Sequence, residues 1–132
     1  MHRILRSLLA LTALAFLSLS ARAQLTIEIV GGAGAAIPIA IVPFAGESNF
    51  PLGISGIVGA DLSRSGMFRL VNSDNVVPRP SRAEDINTDM WKGRGADAVV
   101  VGSMTPQGDG RVEVRFALMD VTQRQLLTAR QL

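Results

Sequence analysis

Apolar and polar residues alternate from Leu25 to Ile29, with Leu25, Ile27 and Ile29 on one face of an extended segment and Thr26 and Glu28 on the other, which predicts a strand. Gly31-Gly32-Ala33-Gly34-Ala35-Ala36 then offers nothing to pack and much backbone entropy to lose, so residues 24–36 are expected to be an arm with a flexible connector ahead of a domain at 37–132. Ile37 to Val42 is nearly all apolar, as in a strand covered on both faces; Pro38 confines that end to an edge or first-residue role, and Pro43 stops it. Ile54, Ile57, Val58 and Leu62 form one stripe of a helix predicted from Leu52 to Ser65 and ended by Gly66. Gly53, Gly56 and Gly59 interrupt it, each costing up to about 1 kcal/mol relative to alanine. Close approach of the helix to a sheet would explain them, and so would a face kept bare for a partner.

Met67 to Val71 predicts a short strand, and Asn72 to Pro80 a polar loop. Ser81-Arg82-Ala83-Glu84 fits a capping box, and Ile86 and Met90 follow four apart, predicting a second helix from Ser81 to Lys92 closed by Gly93 and Gly95. Ala96 to Met104 contains the buried-strand run Val99-Val100-Val101, and Thr105 to Gly110 is a hairpin-type loop. In the alternating strand from Arg111 to Val121, Val112, Val114, Phe116, Leu118 and Asp120 share a face, with Glu113 and Arg115 opposite. Thr122 to Gln125 turns the chain into a last strand, Leu126 to Leu132, where the pattern stops without cap or turn, as expected of a fragment truncated at its C-terminal end. The expected class is α/β: a mixed sheet of about five strands with two helices packed on it.

Residues 1–23 change the meaning of the composition. Arg3 and Arg6, the apolar stretch Leu8 to Leu19, and the small residues Ala21 and Ala23 make a secretion signal with cleavage between Ala23 and Gln24. The apolar stretch is too short for the roughly 20 residues that a membrane-spanning helix needs, so no stable membrane insertion is expected after cleavage. Of 13 basic side chains, Arg3, Arg6 and Arg22 fall in this leader, so residues 24–132 carry ten against eleven acidic ones and show no nucleic-acid footprint. The single histidine, His2, is in the leader too, and the chain has no Cys and no Tyr. Thiol chemistry, zinc sites and histidine-assisted nucleophiles therefore have no residues to work with. Without a cysteine there is no lipid attachment either, so an exported chain without disulfides is expected in the periplasm.

The candidate chemistry is thin. Gly31-Gly32-Ala33-Gly34 follows a strand as a phosphate loop would, but no Lys-Ser or Lys-Thr pair follows and the next element is a strand, so no nucleotide or other cofactor is expected. Glu84, Asp85 and Asp89 could gather around a hard cation, yet Arg82 and Lys92 alternate with them as on a solvated helix face. Asp61 and Arg64 are spaced as a surface ion pair. Trp91 is expected at the edge of the core, packing the short helix onto the sheet, with partner contact as the other reading. No nucleophile is paired locally with a tuned base, so the chain is not expected to be an enzyme or to have a small-molecule substrate.

Pro38-Ile39-Ala40-Ile41-Val42-Pro43-Phe44, then Gly53-Ile54-Ser55-Gly56-Ile57-Val58-Gly59-Ala60-Asp61-Leu62 with Ser65-Gly66-Met67-Phe68, then Trp91 and Gly95-Ala96-Asp97-Ala98-Val99-Val100-Val101-Gly102, together resemble the amino-terminal domain of the TolB family. The resemblance covers most of residues 24–132. It implies a periplasmic, non-enzymatic component of the Tol-Pal system, which maintains outer-membrane integrity and assists constriction during division. It further implies that TolA recognises the mature N-terminal arm, here Gln24 to Gly34, with Leu25, Ile27, Glu28 and Ile29 as the partner-binding residues. Pal binding is implied only where a β-propeller follows. The family arm commonly carries Asp or Ser near the end of its strand, where this chain has Val30-Gly31-Gly32. Two other readings remain open: another exported α/β adaptor, of the curli-secretion or lipoprotein-assembly kind, which the missing lipid-attachment cysteine disfavours, and a carboxylate-dependent hydrolase whose acids meet only on folding.

Overall fold

A computed structural model describes residues 36–132; the leader, its cleavage point and the arm strand lie outside the described residues. Five strands form one mixed sheet in the order β2-β1-β3-β4-β5: β1 Ile37–Ile41, β2 Phe68–Val71, β3 Ala98–Pro106, β4 Val112–Asp120 and β5 Gln125–Gln131. β2 and β3 run parallel to β1 on either side of it, and β3, β4 and β5 follow as antiparallel neighbours. Helix α1, Ile54–Arg64, connects β1 to β2, and helix α2, Thr88–Gly93, lies between β2 and β3. The expected architecture is therefore present, with limits that shift by a residue or two at most strand ends.

Strand pleating assigns every core residue to one of two faces. On the first, Ala40, Val42, Val99, Val101, Ala117 and Val121 pack with Val76 from the loop after β2 and with Trp91 from α2. The second carries Ile39 and Ile41 of β1, with Val100, Leu118 and Thr128 aligned in register beside Ile41. Because β1 and β3 bury both faces, they read as continuous apolar runs in the sequence. Trp91 is not at the core edge but wholly inside, at 0% exposure, with no hydrogen-bond partner for its Nε1. A buried tryptophan removes roughly 150–250 Å² from water, about 4–6 kcal/mol at about 25 cal/mol per Å², against about 1–3 kcal/mol for one unpaired N–H. Burial wins.

Three expectations are corrected. Pro38 was expected at an edge or at a first position, but β1 is an interior strand and Pro38 is its second residue. Ile37 donates toward β2 (to the Met67 carbonyl, 2.9 Å) and Val42 toward β3 (to Val100, 2.9 Å), so the imino nitrogen of Pro38 faces β3. Pairing with β3 begins only at Ile39, so no ladder bond is lost there, and the Pro38 carbonyl accepts from Asp97 N–H at 2.8 Å. Next, α1 starts at Ile54, not Leu52, and Ile57 leaves the expected stripe at 49% exposure, whereas Ile54, Val58 and Leu62 are half-buried. Finally, the predicted helix from Ser81 to Lys92 is broken in two. The Asp85 carboxylate reaches back to Arg82 N–H at 3.2 Å, closing a 3-10 turn over Ala83–Asp85, and Ile86 is extended. The chain re-enters helix only where the Asn87 side chain caps Met90 N–H at 3.0 Å.

Close approach accounts for one strand glycine. A Cβ on Gly59 would sit 3.4 Å from Leu70 Cδ1, an ordinary van der Waals contact, so α1 lies on β2 there without requiring glycine. Gly102 is more constrained: a Cβ would stand 2.5 Å from the Arg115 carbonyl oxygen and 2.6 Å from Phe44 Cε2. The Phe44 ring lies on the bare strand because pairing resumes after Pro43, with Ala45 N–H donating to the Gly102 carbonyl at 2.9 Å and Met104 N–H to Ala45 at 2.7 Å. Gly56, by contrast, faces open space.

Gly102→Ala should therefore destabilise the domain by about 1–3 kcal/mol through overpacking. Gly56→Ala should stabilise it by about 0.5–1 kcal/mol through helix propensity. Urea unfolding followed by the fluorescence of Trp91 measures both, and equal effects at the two sites would contradict this packing.

Candidate interaction surface

The partner-binding residues expected from the sequence, Leu25, Ile27, Glu28 and Ile29, and the cleavage pair Ala23 and Gln24 fall outside the described residues, so the surface is built from what the domain itself presents. Its two sheet faces are finished differently. Trp91 and the loop carrying Val76 close the first. On the second, α1 lies over β1 and β2, and an apolar groove of about 380 Å³ remains beside it, lined by Ile54, Val58, Val114, Phe116, Leu118 and Leu132. Among the described residues no strand pairs with the outer edge of β2 or of β5. Such edges offer unpaired backbone N–H and C=O groups to an incoming strand.

A second cleft, about 400 Å³, opens at the carboxyl ends of β1 and β2, where Ser55, Gly56 and Gly59 of α1 face Asn72, Ser73 and Asp74. Its polar groups are already engaged. Ser73 Oγ donates to the Ile41 carbonyl at 2.7 Å, and Asn72 Oδ1 accepts from Asp74 N–H at 2.6 Å. At the N-terminus of α1 the Glu47 carboxylate accepts from Ser55 N–H at 3.1 Å and from Ser55 Oγ at 2.5 Å. The protein's own anion thus occupies the place a phosphate would take.

The carboxylates considered for a cation are held apart by arginines. Asp89 pairs with Arg124 at 2.7 Å, Asp85 lies 3.6 Å from Arg82, and Glu84 is exposed. Asp61 and Arg64 form the surface pair that their spacing predicts, at 2.7 Å. Among the described residues no three His, Cys, Asp or Glu side chains gather closely enough to hold a metal, and no polar or charged side chain is buried. Burial works against the Asp85 charge, but the N–H groups of Ser81 and Arg82 and the Arg82 guanidinium outweigh it and hold the carboxyl below its ordinary 3.8. Asp109 is lowered likewise, by the backbone and side chain of Arg111.

The sequence reading missed three features. Glu47 as the cap of α1 lies eight residues before its partner, outside any local capping motif. The groove was signalled by the shared face of Val114, Phe116 and Leu118, but which element covers a strand face is not written in its alternation. Arg94 stacks over the Trp91 ring at 5.7 Å and reaches the Asn72 and Asp74 carbonyls at 3.5 Å, joining α2 to the cleft loop.

The family profile of the TolB amino-terminal domain matches residues 25–127. The chain belongs to this family. A Tol-Pal system protein TolB from Nitrosomonas europaea is 49% identical over 115 residues, covering 87% of this chain and 27% of the relative. The crystal structure of TolB from Acinetobacter baumannii aligns with a TM-score of 0.59 at 37% identity, over 74% of this chain and 23% of that one. The TolB-like chain spans about a quarter of the length of the curated relatives it matches. The C-terminal domain of LpoB from Salmonella enterica shares the fold alone, with a TM-score of 0.53 at 13% identity over 74% of this chain and 81% of that one. Among the described residues of this TolB-type domain no helix is long and apolar enough to cross a membrane.

The lowered Asp85 carboxyl gives a pH signature with a defined sign. A carboxylate whose folded pKa lies below its unfolded value stabilises above the unfolded pKa and loses that contribution as pH falls through the folded one. The stability deficit of Asp85→Asn at about pH 7 should therefore shrink toward zero by about pH 2 in urea titrations. A deficit that grows on acidification would refute the assignment.

Proposed function

We propose that this domain is a non-enzymatic, periplasmic protein-protein interaction module of the Tol-Pal system, and that its mature N-terminal arm, Gln24 to Gly34, is the segment TolA binds. The observation that carries the proposal is the family match, which begins at Leu25 and so takes in the arm strand as well as the domain. The physical character of the described part supports it. Among the described residues the domain offers open sheet edges and an apolar groove, while five of its arginines pair with carboxylates at the surface. Leu25, Ile27 and Ile29 give the arm one apolar face, with Glu28 on the other. An extended segment of that pattern binds by lending its backbone to a sheet edge and its alternate side chains to an apolar surface.

In this reading the domain contributes to outer-membrane integrity and to constriction during division through TolA. Pal enters only through a β-propeller that would follow in a full-length protein. The likeness to LpoB carries no partner across, because it is a likeness of fold.

Deleting residues 24–34 should leave the circular dichroism and Trp91 emission of the domain unchanged and abolish association with TolA in a calorimetric titration. Undiminished TolA binding by the deletion variant would sink the proposal. Ile27→Asp should weaken binding by at least tenfold, about 1.4 kcal/mol, by placing a charge on the apolar face of the arm. The leader makes a separate prediction: protein recovered from a periplasmic extract should begin at Gln24 on N-terminal sequencing, and an intact Met1 there would contradict export by this signal.

A further inference from the structure

We draw no further inference here: the strongest candidate, the apolar groove of about 380 Å³ beside α1 on the second face of the sheet, is an unpartnered surface and nothing in the structure shows what covers it.

Discussion

The constraint on which the rest of the domain depends is the double burial of β1 and β3. β1 lies between two parallel neighbours, so its backbone is hydrogen-bonded on both sides and its side chains must be covered above and below. Trp91 meets Ala40, Val42, Val99 and Val101 on one side, and α1 lies over β1 and β2 on the other. Each crossover connection is fixed by this requirement: α1 returns to one flank of β1, and α2 leads to the other. The tryptophan is the largest wholly buried side chain in the cluster, and its burial more than offsets an indole N–H without a partner.

That arrangement places unequal demands on the two faces. The first face closes because a short helix and a long loop converge on it, held by the Asn87 cap and by the Arg94 contacts to the Asn72 and Asp74 carbonyls. Among the described residues the second face is covered by one helix of 11 residues, about 16 Å long at 1.5 Å per residue, which is too short to span five strands spaced about 4.8 Å apart as well as run along them. An apolar groove therefore remains on that face. Where α1 does lie on the sheet, Gly59 stands against Leu70, and the return of the chain beside β3 depends on Gly102 beneath Phe44. Gly102 has a reason in packing, whereas Gly56 has no neighbour that requires it.

The electrostatics reinforce the reading of an interaction module. Surface ion pairs such as Asp61 with Arg64 and Asp89 with Arg124 are solvent-exposed and contribute little to stability individually. The N-terminus of α1 is capped by Glu47 from the preceding loop. What the domain presents is backbone at its edges and apolar surface beside them, both suited to contact with another polypeptide.

The sequence by itself determined the class and the order of elements. Five apolar segments separated by turn residues are a local property, and strands buried on both faces, such as Val99-Val100-Val101, reveal themselves by the absence of alternation. Excluding thiol chemistry needed only a count. The resemblance carried by Pro38 to Phe44 and by the Gly-broken helix was likewise legible in consecutive residues. Tertiary structure alone decided the rest. Pro38 could enter an interior strand because the neighbouring ladder begins one residue later, a matter of register between segments sixty residues apart. The helix from Ser81 divided at Ile86, which is extended and packs against the Trp91 cluster, and Ile57 faced solvent at 49% exposure. Periodicity specifies which side of an element is apolar, but the packing of distant segments decides what covers that side, because burial is a property of pairs of surfaces and a sequence states only one of them at a time.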